Sequence, residues 1–538
     1  MTQVGAWLND TLRFLFAGGI RCLGWTLEAL HWIRLVNYRA GQQRLRQRFA
    51  LTPGLAASPY TPSQQERLLE RARRSGEAVV WATTAGSSGQ PKRVPFTPSR
   101  LWAARWTYMA SFARATARLR LKRTSLYVFA PSARDGTLST LMLEEQGTPS
   151  YWETLQAPYR VHSLPAVRSF QEQYGLDAVR LWILASSNPG VLYSTNPSTL
   201  STFFETLDRE WGTCSRLVRD LQSNSGRFSP ETNRLITRLE SPGSHQRLRR
   251  IAESPRPLPL QTWAPGVRAY MCWTGGYVEP FLRRLERLLP PPRFRLIPMY
   301  SMSTETVETL PHFHGKEVSF LPVAPGVAYE FLEEDDELPS DRLLFPWDLQ
   351  VGQNYVMVVS DQYGLRRYLT ADVFRVKQIH RGIPALDFLR RQELSYSFTG
   401  EKVTGTQLED AFHQMRDQVS NLRPSDVLAC LPSFPSDDPV PHYKLLLLPA
   451  DPAQTPPARL LELALDQTLG GLNPEYREKR ESGRLGPPQL QVLPVTSFVL
   501  ALQRTGFATS QETQFKFLPL YRSRWEEIAP FLDSEHIR

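Results

Sequence analysis

The segment Thr84-Ala85-Gly86-Ser87-Ser88-Gly89-Gln90-Pro91-Lys92 constrains this chain more than any other. It follows a short apolar run, Ala78-Val79-Val80-Trp81-Ala82, and precedes a long stretch of helical character from Ser99. Glycines and small residues let a backbone wrap tightly around an anion. The hydroxyls of Ser87 and Ser88 and the neighbouring amides can donate to phosphate oxygens, and Lys92 adds a fixed positive charge. The spacing is not that of a Walker A loop, which needs Gly, four residues, then Gly-Lys-Ser/Thr. On composition alone, a solvated turn between a strand and a helix explains the segment equally well. Thr84, Gly86, Ser87, Ser88, Gly89 and Lys92 are therefore candidate phosphate-binding residues, to be tested against the rest of the chain.

A chain of 538 residues is too long for one core, so two or more domains are expected. The excess of Lys and Arg over Asp and Glu gives a net charge of +10, which suits an anionic ligand such as ATP. Nucleic acid is disfavoured, because the basic residues are dispersed and no zinc-finger or RNA-binding signature is present. Cys22, Cys214, Cys272 and Cys430 lie far apart, which argues against a disulfide framework or zinc site and for a reducing, cytoplasmic setting. No run of apolar residues is long enough for a transmembrane helix, and the N-terminus does not read as a signal peptide. Residues 5 to 37 do mix aromatics with Arg13, Arg21 and Arg34. That pattern fits peripheral contact with a membrane. It also fits a pair of helices, broken around Gly18-Gly19, docked on the main domain, and the periodicity favours the second reading.

From about residue 76, apolar strands alternate with helices. Candidate strands are Ser125–Ala130, Val179–Ala185 and Phe294–Met299. Candidate helices are Ser99–Arg118, Leu200–Leu221 and Tyr277–Leu288. Such alternation predicts an α/β architecture with mixed, largely parallel sheets. A strand-rich cluster follows between residues 318 and 398. After Arg391 the pattern becomes that of a small α+β domain. The expected division is an N-terminal helical segment (1–75) packed on a large domain (76–390), then a small domain (391–538).

Two further segments carry chemistry. Ser303-Thr304-Glu305 comes shortly after the apolar run Arg295–Met299, where an open α/β sheet places its ligand. A carboxylate there can ligand Mg²⁺, although a helix cap accounts for the residues equally well. Between two strands, Leu365-Arg366-Arg367-Tyr368-Leu369-Thr370-Ala371-Asp372 crowds two arginines, an aromatic and one Asp. A carboxylate at a strand end can accept both ribose hydroxyls, or it can pair with a neighbouring Arg.

Taken in order, these segments resemble the Gretchen Hagen family of acyl acid amido synthetases, in the adenylate-forming superfamily. The phosphate loop is similar to the family's first motif, Ser303-Thr304-Glu305 to its second, and Leu365, Arg367, Tyr368 and Asp372 to its third. Phe388-Leu389-Arg390-Arg391 resembles the family hinge. Gly400-Glu401-Lys402 and Gln514-Phe515-Lys516, with Pro519, resemble two later elements. The resemblance covers roughly residues 76 to 520. It implies a large adenylate-forming domain with a smaller, hinged C-terminal domain, and a monomer that uses ATP and Mg²⁺. A carboxylic acid would attack the α-phosphate to give an acyl-adenylate, and an amine, usually of an amino acid, would then take the acyl group. Glu305 would bind the metal, Thr304, Tyr300, Arg367, Tyr368, Asp372 and Arg391 would meet the nucleotide, and Lys402 and Lys516 would act in catalysis. A thiol acceptor (CoA or a carrier protein) and a catalytically inactive relative are the alternatives. Ala85, Ser301 and Ala371 depart from the family pattern, and Tyr300 is one position away from its adenine-stacking aromatic.

The acid would lie beside the helix after the loop, near Trp102, Arg105, Trp106, Met109 and Phe112, residues that suit a helix core equally well. His312 and His314 invite a metal reading, but a His-x-His pair without a third ligand more often marks a strand edge. A hydrolase reading fails because no Gly-x-Ser-x-Gly elbow is present.

Overall fold

The structure, a computed structural model, describes residues 2–52, 56–83, 92–129, 138–143, 149–223, 230–274, 279–289, 294–299, 303–314, 317–334, 342–391, 395–396, 401, 403–423, 426–433, 440–495 and 497–498. Three helices open the chain: α1 (Thr2–Val36), α2 (Tyr38–Arg48) and α3 (Pro62–Ser75). The expected break at Gly18-Gly19 does not occur, and α1 runs through both glycines as one helix of 35 residues. Glycine weakens a helix interior by only about 1 kcal/mol, and long-range contacts along α1 hold it in line.

A hairpin follows, β1 (Val80–Thr83) antiparallel to β2 (Arg93–Phe96), with Thr83 opposite Arg93. The 84–91 segment therefore joins two strands before the chain enters helix α4 (Pro98–Arg118). Thr97 starts α4 by accepting the Arg100 amide, and Pro98 occupies the first turn, where its missing N–H costs nothing.

The parallel sheet is built from β3 (Leu126–Val128), β4 (Val191–Tyr193), β5 (Ala269–Cys272) and β6 (Arg295–Pro298), paired in that order. Helices from the β3–β4 and β4–β5 connections bury Trp182, Phe203 and Trp263 in one large cluster. Val179–Ala185, expected as a strand, is helical within Leu176–Ser187. A short apolar run fits a buried helix as well as a strand, and this helix is buried at every position from Ala178 to Ser187.

The larger sheet is wholly antiparallel, so in the body of the chain up to Arg391 the expectation of largely parallel sheet holds for the four strands above and not for this sheet. Its strands are β7 (Leu310–His314), β8 (Glu317–Leu321), β9 (Val327–Glu333), β10 (Asn354–Asp361), β11 (Tyr368–His380) and β12 (Ile383–Arg391), in the order β7-β8-β12-β11-β10-β9. Leu35, Tyr38 and Leu68 of the N-terminal helices share its core with Phe331, Tyr355 and Phe374. Phe388–Arg391, named above for its hinge resemblance, forms the paired end of β12, with Arg391 opposite Asp372.

Beyond it come β13 (Ser395–Tyr396) and β14 (Val403–Thr404), then β15 (Val427–Ser433), β16 (His442–Leu448) and β17 (Gln489–Val492). β15 is antiparallel to β16, and β17 parallel to it. Helices Gly405–Gln418 and Ala458–Leu472 close a separate core around Phe412, Met415, Tyr443 and Leu465.

Candidate active site

The carboxyl end of β6 leads to Ser303–Thr306, and the hairpin that carries Lys92 reaches the same place. Lys92 Nζ lies 3.6 Å from Glu305 Oε1; Glu305 is 2% exposed and Lys92 27%. Ser303 Oγ, Glu305 Oε1 and Thr306 Oγ1 are all buried without a hydrogen-bond partner among the described residues. Buried oxygens of this kind cost free energy unless a ligand or water satisfies them. Three within four residues, beside one cation, make a cradle of hard oxygen donors. Such a set fits Mg²⁺, which binds through one or two carboxylates and completes its shell with water and phosphate.

Arg100, in the first turn of α4, holds this corner together, and the sequence reading did not single it out. Its guanidinium donates to Pro95 O at 2.8 Å and to Glu305 O, and it stacks 4.4 Å from the Phe96 ring. Burial lowers its pKa, partly offset by the nearby Asp361 carboxylate. Burial likewise raises the pKa of Asp361, against the pull of Arg100 and three backbone donors. Those donors are the amides of Tyr363, Gly364 and Leu365, at 2.9 to 3.0 Å from Oδ1. Gly364 is required there: its φ is +129°, and a Cβ would lie 2.9 Å from Arg67 O. Position i to i+3 spacing in a tight Asp-x-x-Gly turn was the signal available in the sequence for this lock.

The third segment divides. Arg367 and Tyr368 were expected at the nucleotide, but the structure engages both side chains within the fold. The Arg367 guanidinium forms a two-pronged pair with Glu330 at 2.9 and 3.0 Å and donates to Thr52 O at 2.9 Å. Glu330 also receives Arg46 of α2. Tyr368 is fully buried, edge-on to Tyr60, in the core of the antiparallel sheet.

Asp372 behaves differently. Val356 pairs with Val373 and Val358 with Leu369, so Thr370, Ala371 and Asp372 stand opposite the single Met357. This bulge interrupts the ladder and re-aims the side chains it carries. Thr370 Oγ1 steadies it, donating to Met357 O at 3.0 Å and accepting the Asp372 amide at 3.2 Å. Ala371 sits at φ +62°, a conformation natural to the glycine the family pattern has here. Ala371→Gly should therefore stabilise the protein by about 1 kcal/mol or less, relief of the left-handed strain being partly offset by a freer unfolded chain. Urea unfolding measures this, and a destabilised Ala371→Gly protein would refute it.

Glu401 anchors the segment around position 402. Its carboxylate accepts the Tyr443 hydroxyl at 2.8 Å and its carbonyl accepts Asn473 Nδ2 at 2.7 Å. Thr404 and Gln407 form a capping box that starts the next helix two residues later. Thr84, Gly86, Ser87, Ser88, Gly89, Tyr300, Lys402 and Lys516 lie outside the described residues, as does the side chain of Arg391.

Of the expected acid-site residues, Arg105 is occupied by the carbonyls of Leu141 and Met142 at 3.0 and 2.9 Å. Trp102 and Trp106 stack with centroids 6.1 Å apart and, with Met109, are exposed. His312 meets His31 of α1 at 3.3 Å, and burial lowers its pKa to about 4. No group of three or more metal-binding side chains occurs among the described residues.

Comparison with known proteins gives a consistent result. An Arabidopsis thaliana protein named indole-3-acetic acid-amido synthetase GH3.4 is 26% identical over 216 residues, 37% of this chain and 35% of that one. Another from the same plant, probable indole-3-acetic acid-amido synthetase GH3.1, is 29% identical over 182 residues, 33% of this chain and 30% of that one. The matches thus span about a third of the length of these relatives. The solved structure of AtGH3.15 acyl acid amido synthetase in complex with 2,4-DB has the same fold. Its TM-score is 0.61 at 17% identity, over 99% of this chain and 97% of that one. Three family models match consecutive parts of the sequence: the GH3 family N-terminal domain at residues 74–293, the central domain at 320–391 and the C-terminal domain at 406–524. With three domains in series over well over half its length, the chain belongs to the GH3 family.

Proposed function

We propose that this protein activates a carboxylic acid with ATP and transfers the acyl group to an amine, usually of an amino acid. The observation that carries the reading is the Lys92–Glu305 corner. There a cation and three buried oxygens without a hydrogen-bond partner among the described residues meet in the segment after a parallel strand, in a chain of this family. Lys92 and the preceding loop would hold the phosphates, and Glu305, with Ser303 and Thr306 beside it, would hold Mg²⁺. The metal would supply charge neutralisation on the phosphate oxygens. Asp372, in the bulge of β11 facing β10, would accept the ribose hydroxyls.

The chain's own residues do little covalent work in such a reaction. They orient the acid against the α-phosphate and balance the negative charge that grows as it attacks. Lys402 and Lys516 would act on that charge, with Glu401, Tyr443 and Asn473 fixing the backbone beside Lys402. Arg391, at the end of β12, would meet the nucleotide near the boundary between a large domain (76–390) and a small one (391–538). A change of backbone beyond β12 would turn the small domain between the two steps. Ala371 supports an active protein over an inactive one, because it keeps the glycine-like backbone despite its side chain.

Acid-dependent exchange of labelled pyrophosphate into ATP, run over a panel of carboxylic acids, tests the first half-reaction. Exchange with at least one acid is expected. No exchange with any acid, together with no ATP binding by calorimetry, would overturn the proposal. Product analysis with amino acids against CoA then separates amide from thioester formation.

A further inference from the structure

Helix α1 is turned inside out relative to a surface helix that faces water. Its protein-facing side carries its polar groups. Asn9 Nδ2 donates to Glu240 O at 3.0 Å, and Arg13 Nε donates to Leu155 O at 3.4 Å. The Glu28 carboxylate accepts Arg114 at 2.9 Å, and the His31 ring meets His312. Gly24 lets α1 press against α4, since a Cβ there would lie 2.1 Å from Ala113 O. These contacts fix the rotation of the helix about its axis.

The opposite side is apolar and open. Among the described side chains from Ala6 to Val36, none that is exposed carries a charge. Trp7, Phe14, Leu15 and Ile33 are each more than half exposed, and Trp25 and Trp32 nearly so. Leu8, Thr11, Leu15, Gly19, Cys22, Thr26, Ala29 and Ile33 follow one another at three- and four-residue steps, all exposed. On a helix that spacing makes one continuous strip, here roughly 38 Å long at 1.5 Å per residue. An uncovered apolar surface of this extent marks an interaction site.

Charge selects the partner. The first fifty residues hold seven arginines and two acidic residues, Asp10 and Glu28, a net of +5. Both acids are already paired, with Arg123 at 3.1 Å and Arg114 at 2.9 Å. Two arginines from elsewhere border the strip: Arg118 lies 5.7 Å from the Trp25 ring and Arg381 4.0 Å from the Trp32 ring. Exposed arginines continue along α2. Tryptophan beside arginine at the edge of an apolar strip matches the boundary between lipid headgroups and acyl chains. A second copy is a poorer occupant. A two-fold interface pairs a surface with itself, which would set these arginines against each other. Spanning is ruled out for this helix, since no helix among the described residues is long and apolar enough to cross a membrane.

We propose that α1 lies in the plane of an anionic lipid surface, with its exposed aromatic strip among the acyl chains and the bordering arginines on the headgroup phosphates. Cys22 supplies the probe, because it lies on the strip and is exposed, whereas Cys214, Cys272 and Cys430 are buried. The full-length protein, labelled at Cys22 with an environment-sensitive dye, is mixed with vesicles of phosphatidylcholine alone or with added phosphatidylserine. Blue-shifted, brighter emission and co-sedimentation are expected with the anionic vesicles, weakening as salt is raised. A Phe14→Glu/Ile33→Glu double variant should lose vesicle binding by more than about tenfold. Its melting temperature should be unchanged, since both side chains project from the fold. No change in emission with anionic vesicles would overturn the proposal. So would equal binding by the double variant. A dimer seen by ultracentrifugation without lipid, and abolished in the double variant, would assign the strip to a second copy instead and equally overturn it.

Discussion

Replacing Glu305 by Gln lowers acid-dependent pyrophosphate exchange by about 100- to 1,000-fold, the cost of removing a preorganised charged group from a phosphoryl-transfer site. The substitution keeps the shape of the side chain and leaves its backbone carbonyl available to Arg100. What it removes is the charge 3.6 Å from Lys92. Stability should change little. The carboxylate is buried with one oxygen lacking a hydrogen bond among the described residues, so the folded protein already bears its desolvation, and the relief a neutral amide brings offsets the lost attraction to Lys92. Exchange kinetics and urea unfolding on the same preparation separate the two effects. A Glu305→Gln protein with normal exchange would show that the corner is not the reaction site. One that simply unfolds would make Glu305 a structural residue.

The largest loss of stability is expected from Glu330→Ala, about 3–5 kcal/mol, typical of breaking a buried ion pair by removing one partner. Glu330 alone answers two arginines, Arg46 and Arg367, and the Arg367 side chain is only 4% exposed. Without the carboxylate, the Arg367 cation stays in the interior without its two-pronged partner, keeping its bond to Thr52 O. Arg46→Ala should cost clearly less. That side chain is 18% exposed, and Arg367 continues to satisfy Glu330. Denaturant unfolding of the two variants tests the ranking. Equal losses, or a Glu330→Ala loss below about 1 kcal/mol, would mean that this triad is not what fastens α2 to the sheet.

Local chemistry is what the sequence carries well. Short apolar runs rich in β-branched and aromatic residues at 318–321, 328–332 and 355–360 read as strands and are strands, because such residues fit a pleated sheet surface. Thr97-Pro98 starts α4 and Thr404 with Gln407 starts the helix at 405, since a cap is a contact between near neighbours in the chain. The order of the motifs was also legible, and with it the family, because motif order is a property of the chain alone.

Tertiary structure decided what depends on distant partners. Nothing near Arg367 in the sequence says that Glu330 and Thr52 take its guanidinium, so two adjacent motif residues, Arg367 and Tyr368, turned out to belong to the core. The bulge that carries Asp372 needed β10 alongside it to exist at all. Val179–Ala185 became a helix because protein surrounds it, which periodicity cannot record. In α1 the sequence supplied an apolar stripe, and its periodicity favoured docking on the main domain. Asn9, Arg13, Glu28 and His31 found partners 86 to 281 positions away, and those polar contacts, worth more when buried than when solvated, turned the aromatic strip outward.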